Sequence, residues 1–101
     1  MSTTELVKKE QKIGTLVTGL AKLGAMRPGT LTVPYRNPGE RKTPFHQISY
    51  TRKGKGRSEY VRPENLPAVR REVAAYKTFR RVVEQIIDLS LEASRLRHRR
   101  G

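Results

Sequence analysis

Five cations crowd one short stretch of this chain. Arg52, Lys53, Lys55, Arg57 and Arg62 all lie within "RKGKGRSEYVR", residues 52–62, and Gly54 and Gly56 are set among them. Strand-type residues stand on either side, in "FHQISYTR" (45–52) and "RSEYVR" (57–62). A tight turn needs glycine for its backbone, but nothing about a turn needs lysine or arginine. Cations on a narrow two-stranded ribbon suit a polyanion. Each phosphate they neutralise releases a condensed counterion, and such a ribbon fits the major groove of duplex DNA. Glycines at the tip let the backbone approach closely. Arg36, Arg41 and Lys42 lie just upstream and enlarge the candidate surface. Tyr35, Tyr50 and Tyr60 are candidates for stacking on bases if exposed, and core residues of a half-buried sheet otherwise.

Other chemistry is thin. His46 and His98 stand far apart, and the sequence contains no HExxH, Walker or GxSxG pattern. "GKGRS" lacks P-loop spacing and leads into a strand rather than a helix. Glu84, Asp88 and Glu92 recur every four residues on an arginine-dense helix, which reads as a solvated face rather than a metal site. His46 alternates onto the Ile48/Tyr50 face, where a satisfied structural histidine is the simpler reading. No catalytic residue, metal or cofactor is expected, and the protein is read as a non-enzyme.

The charge supports a polyanion partner. The chain has 101 residues, with 22 Lys and Arg against 9 Asp and Glu, for a net charge of +13. The middle segment, 25–62, carries nine basic and two acidic residues, +7; the flanking segments 1–24 and 63–101 carry +2 and +4. This profile favours nucleic acid, with an acidic protein as the other class of partner. Cysteine is absent and no apolar run is long enough for a membrane span. The expectation is a soluble, cytoplasmic protein with no membrane partner.

The elements that must position these cations follow from periodicity. Ser2 with Glu5 fits a capping box. Leu6, Ile13, Leu16, Val17, Leu20 and Leu23 then share one face, so 3–24 is a predicted helix that stops at Gly24. "TLTVPYR" (30–36) reads as a short strand that is an edge or ends at Pro34, and "NPGERKTP" (37–44) as a loop. A two-residue type II′ turn at Gly54-Lys55 would pair Arg52 with Arg57, Tyr50 with Glu59 and Ile48 with Val61. The core face is then Ile48, Tyr50 and Val61. Pro63 and Pro67 are tolerated at a helix start. From about 65 to 97 a heptad-like seam runs through Ala75, Phe79, Val82, Ile86, Leu89, Ala93 and Leu96, widened by Val69, Val73, Tyr76, Val83 and Ile87. That helix would be roughly 45–50 Å long and the first about 33 Å. The first helix and the sheet would cover the seam only if set end to end along it, so a homodimer through the long helix is expected. Arg70, Lys77 and Arg81 share a face away from the seam and form a second candidate phosphate-tracking surface. A basic tail, 98–101, closes the chain.

The fold class is therefore α+β in a single domain: 3–24 helix, 30–62 small antiparallel sheet of two or three strands with a basic hairpin, 65–97 long helix. The order of parts resembles a family of small prokaryotic proteins of unknown function that occur in transposon-like and other mobile genetic contexts. The residues that carry the resemblance are Gly29-Thr30-Leu31 with Tyr35-Arg36, "TPFHQISY" (43–50), "GKGRSEYV" (54–61) and "AYKTFRRVVEQIIDLSLEASRL" (75–96). Members of that family often carry cysteines in the loop after Y-R, as if for a metal knuckle. The loop here has none, so no metal role carries over. The resemblance implies no established activity, but it points towards DNA and a recombinase- or transposase-type partner. The function expected is a small DNA-binding accessory protein of a mobile genetic element or phage. The alternatives are a module that docks on or inhibits a nuclease or recombinase, and RNA binding.

Overall fold

The computed structural model describes residues 2–32 and 46–99, with side chains from Thr4 onward. Helix α1 (Ser2–Leu20) is followed by strands β1 (Thr30–Thr32), β2 (Gln47–Arg52) and β3 (Lys55–Tyr60), a 3-10 turn (Pro63–Asn65), and helix α2 (Leu66–His98). The fold is α+β. The capping side chain of Ser2, the 37–44 loop and the end of the basic tail lie outside the described residues. None of the described helices is long and apolar enough to cross a membrane.

The described residues form two compact units. The helical unit contains the chain up to Gly24 and the part of α2 from Lys77 onward. Leu6, Ile13, Leu16 and Leu20 of α1 are half-buried, as are Phe79, Val82, Ile86, Leu89 and Leu96 of α2, and Ala93 is fully buried. These are face and seam positions read from the sequence; Val17 and Ile87, expected with them, are instead 50% and 45% exposed. Two ion pairs join the first half of α1 to the last turns of α2: Lys9 to Glu92 at 2.7 Å and Arg97 to Glu10 at 2.9 Å. The α-helical part of α1 ends at Leu20, four residues short of the expected stop. Ala21, Lys22 and Leu23 each donate to the carbonyl three residues back, at 3.1–3.2 Å. The last turn tightens because Thr18 and Gly19 are poor helix formers. Gly24, at φ 76°, then ends it as expected.

The sheet unit holds the described residues between Ala25 and Tyr76. The strand order is β1-β2-β3, antiparallel throughout. Thr30 pairs with Ser49 and Leu31 with Ile48, and β1 is an edge strand. Ile48, Val61 and Val73 are buried together, with Leu31, Leu66 and Val69 packed around them. Ile48 is completely buried, a contribution of about 1.5–3 kcal/mol. The first turns of α2 thus cover one end of the sheet. Two backbone bonds fix the surroundings: Arg27 N–H donates to the Glu72 carbonyl and Val61 N–H to the His46 carbonyl, both at 3.0 Å. Gly29, at φ 141°, has no substitute here. A Cβ would lie 2.6 Å from Ile48 Cγ1 and 3.1 Å from the Ser49 carbonyl oxygen.

Candidate nucleic-acid interface

The hairpin turns at Lys53-Gly54, not at the expected Gly54-Lys55. Arg52 pairs with Lys55, Thr51 with Gly56, Tyr50 with Arg57, Ser49 with Ser58 and Ile48 with Glu59. Both turn residues have positive φ, 53° for Lys53 and 80° for Gly54. That is the type I′ pattern, whose twist matches the strands. The expected cross-strand pair Arg52–Arg57 is therefore replaced by Arg52–Lys55, and Tyr50–Glu59 becomes a diagonal contact. Because each partner moves by two residues, every side chain keeps its expected face.

One face of the hairpin changes character along its length. At the base it carries Ile48 and Val61, both buried. Next come Tyr50 and Glu59. The Tyr50 hydroxyl donates to Glu59 Oε2 at 2.6 Å, Arg27 Nη2 donates to Glu59 Oε1 at 2.6 Å, and the Arg27 guanidinium lies 5.3 Å from the Tyr50 ring centre. The Tyr50 hydrogen bond, reinforced by Arg27, holds the Glu59 carboxyl below its usual range. The same bond raises the Tyr50 hydroxyl above its ordinary value. At the far end the face carries Arg52, Lys55 and Arg57, with Lys53 in the turn, and all four are exposed. The opposite face holds Gln47, Ser49, Thr51, Gly56, Ser58 and Tyr60, neutral throughout, with the Ser49 and Ser58 hydroxyls 3.1 Å apart.

The four tip cations have no counter-ion among the described residues: none of them is in an ion pair, and Glu59, the hairpin's own carboxylate, is held by Arg27 and Tyr50. Arg52 opposite Lys55 is a like-charge pair that destabilises the ladder, and an anion placed between them relieves it. Lys55 and Arg57 sit roughly 7 Å apart along β3, about two axial steps of one DNA strand.

The structure gathers some of the expected site residues and separates others. Arg52, Lys53, Lys55 and Arg57 come together. Arg62 does not: it is exposed but lies beyond the base of β3, roughly 17 Å along the strand direction from Arg57. Arg70 is exposed on the sheet unit's part of α2; Lys77 and Arg81 are exposed on the helical unit's part. Arg36, Arg41, Lys42 and Tyr35 lie outside the described residues. Tyr50 is engaged by Arg27 and Glu59 rather than open for stacking, while Tyr60 is 56% exposed. The buried Nδ1 of His46, expected to be satisfied, has no hydrogen-bond partner among the described residues. No three described His, Asp or Glu side chains converge as a metal site. Arg27 is the residue that sequence reasoning missed. Its only local signal is a place before Pro28-Gly29, whereas its partner Glu59 is 32 residues away. Comparisons with protein-family models, with curated proteins and with solved structures return no match.

Proposed function

We propose that this protein binds duplex DNA through the cationic end of the β2–β3 hairpin. The observation that supports this reading is the set of exposed cations Arg52, Lys53, Lys55 and Arg57, three of them on one face and none in an ion pair among the described residues. No ion pair among the described residues accounts for holding them together, so the arrangement fits a ligand that supplies the negative charge. Phosphate contacts dominate such an interface, and sequence preference is read mainly through duplex shape. An accessory role in DNA rearrangement, of a mobile element or phage, is the biological setting that the family resemblance favours.

The test is a fluorescence anisotropy titration of a labelled duplex at several salt concentrations. Binding should weaken steeply with salt. Replacing Lys53, Lys55 and Arg57 together by Ala should lower affinity and make the logarithmic salt slope shallower by roughly one per cation removed. Absence of salt-sensitive binding to any duplex defeats the proposal. Competition that favours single strands or structured RNA over duplex redirects it to those ligands.

A further inference from the structure

From Lys77 onward α2 carries a second apolar strip. Its first, the seam of Phe79, Val82, Ile86, Leu89, Ala93 and Leu96, is half-buried or buried. Val83 and Ile87, expected to widen that seam, recur with Leu91 every four residues on another face, roughly 130° round the helix from it; Val83 is half-buried. Ile87 is 45% exposed and Leu91 51% exposed. Single exposed hydrophobics are ordinary; a row along one helix face marks a surface made to be covered.

The charges beside this strip indicate what covers it. One flank reads Lys77, Arg81, Glu84, Asp88, two cations followed by two anions. Lys77 and Asp88 are centred on the point between residues 82 and 83, and so are Arg81 and Glu84. Among the described residues none of the four is in an ion pair. Within one helix, cation before anion is the less favourable order. A second copy of the helix, laid antiparallel about that common centre, reverses the disadvantage. Lys77 then meets the partner's Asp88 and Arg81 meets the partner's Glu84, and two-fold symmetry repeats both pairs. Val83 falls at the axis, and Ile87 reaches the aliphatic stem of the partner's Arg80, an exposed residue in line with the strip.

We propose that the protein is a homodimer in which two copies of α2 pack antiparallel through Val83 and Ile87, held in register by the Lys77–Arg81–Glu84–Asp88 flank. The proposal does not depend on DNA binding. It places the interface on a different face from the seam, whose residues are half-buried or buried.

Sedimentation equilibrium of the full chain tests it. The wild type should sediment at twice the chain mass. Ile87→Glu should sediment at the single-chain mass with unchanged helical circular dichroism. Arg81→Glu should weaken dimerisation by roughly tenfold or more, and adding Glu84→Arg should restore it, because the pair is then reversed rather than removed. A Glu84→Lys/Asp88→Lys chain and a Lys77→Glu/Arg81→Glu chain should each be monomeric and should combine one to one on mixing. A monomeric wild type overturns the proposal, even if the strip captures some other protein. So does a dimer that survives Ile87→Glu, or one that Glu84→Arg does not rescue.

Discussion

Lys9 and Arg97 in the helical unit and Lys55 and Arg57 in the hairpin are all surface cations, yet their surroundings differ. Each of the first pair meets a carboxylate on the other helix, at 2.7 Å and 2.9 Å. Neither of the second pair meets one among the described residues. Two helices in contact offer each other many side chains, and opposite charges can be matched along them. A hairpin that extends beyond its apolar cover has only its own strands, and there the single carboxylate is already held by Arg27 and Tyr50. The same residue types thus fasten the fold in one region and stand outside any ion pair among the described residues in the other.

This contrast can be broken or sharpened at several points. The largest effect should come from the base on which the hairpin stands. Ile48→Ala should cost about 2–5 kcal/mol, seen as a lowered thermal or denaturant midpoint. Gly29→Ala should cost roughly 2–3 kcal/mol by the same measurement, because the new Cβ overlaps Ile48 at a backbone angle that favours glycine. A smaller effect distinguishes the two classes of cation directly. Lys55→Gln and Arg57→Gln should each make the salt slope of DNA binding shallower by about one, whereas Lys9→Gln and Arg97→Gln should leave it unchanged. Equal responses from all four would remove the distinction.

The smallest effect is a pH dependence. Glu59 titrates below its ordinary range in the fold, so the stability it contributes is complete above the ordinary carboxylate pKa. That contribution is lost as pH falls through the depressed value. Tyr50 titrates above its ordinary value, so its share is complete below that value and is lost as pH rises through the raised one. Melting curves across the acid range should show a shallow loss that Glu59→Gln flattens, and an unaltered profile in that variant would assign the acid limb elsewhere.

The seam of α2, the face of each sheet residue and the stop at Gly24 were legible because each follows from a local repeat or a single residue's conformational preference. The register was not. Gly54 and Gly56 flank Lys55, so two tips one residue apart both have a glycine in the turn, and both preserve the buried face of Ile48 and Val61. The strand twist suits both the type I′ and the type II′ turn and does not choose between them; the observed tip sets Lys53 at positive φ beside Gly54. Arg27 was illegible for another reason: its partners Tyr50 and Glu59 meet it only after the sheet has formed. The arginines near the C-terminus read alike in sequence, yet Arg97 is fastened to Glu10, a distinction set by where α1 runs.

Lys53 occupies a backbone region where asparagine or glycine rests more easily, a difference of about 1 kcal/mol. The tip therefore holds a residue that its own turn does not favour, which accords with the proposed role of Lys53 in binding DNA. Lys53→Asn should make the hairpin more robust and a poorer binder at once, so that selection for heat resistance alone would steadily erode the contact surface. In an engineered or evolving lineage, the identity of this one residue would record which of the two demands had prevailed.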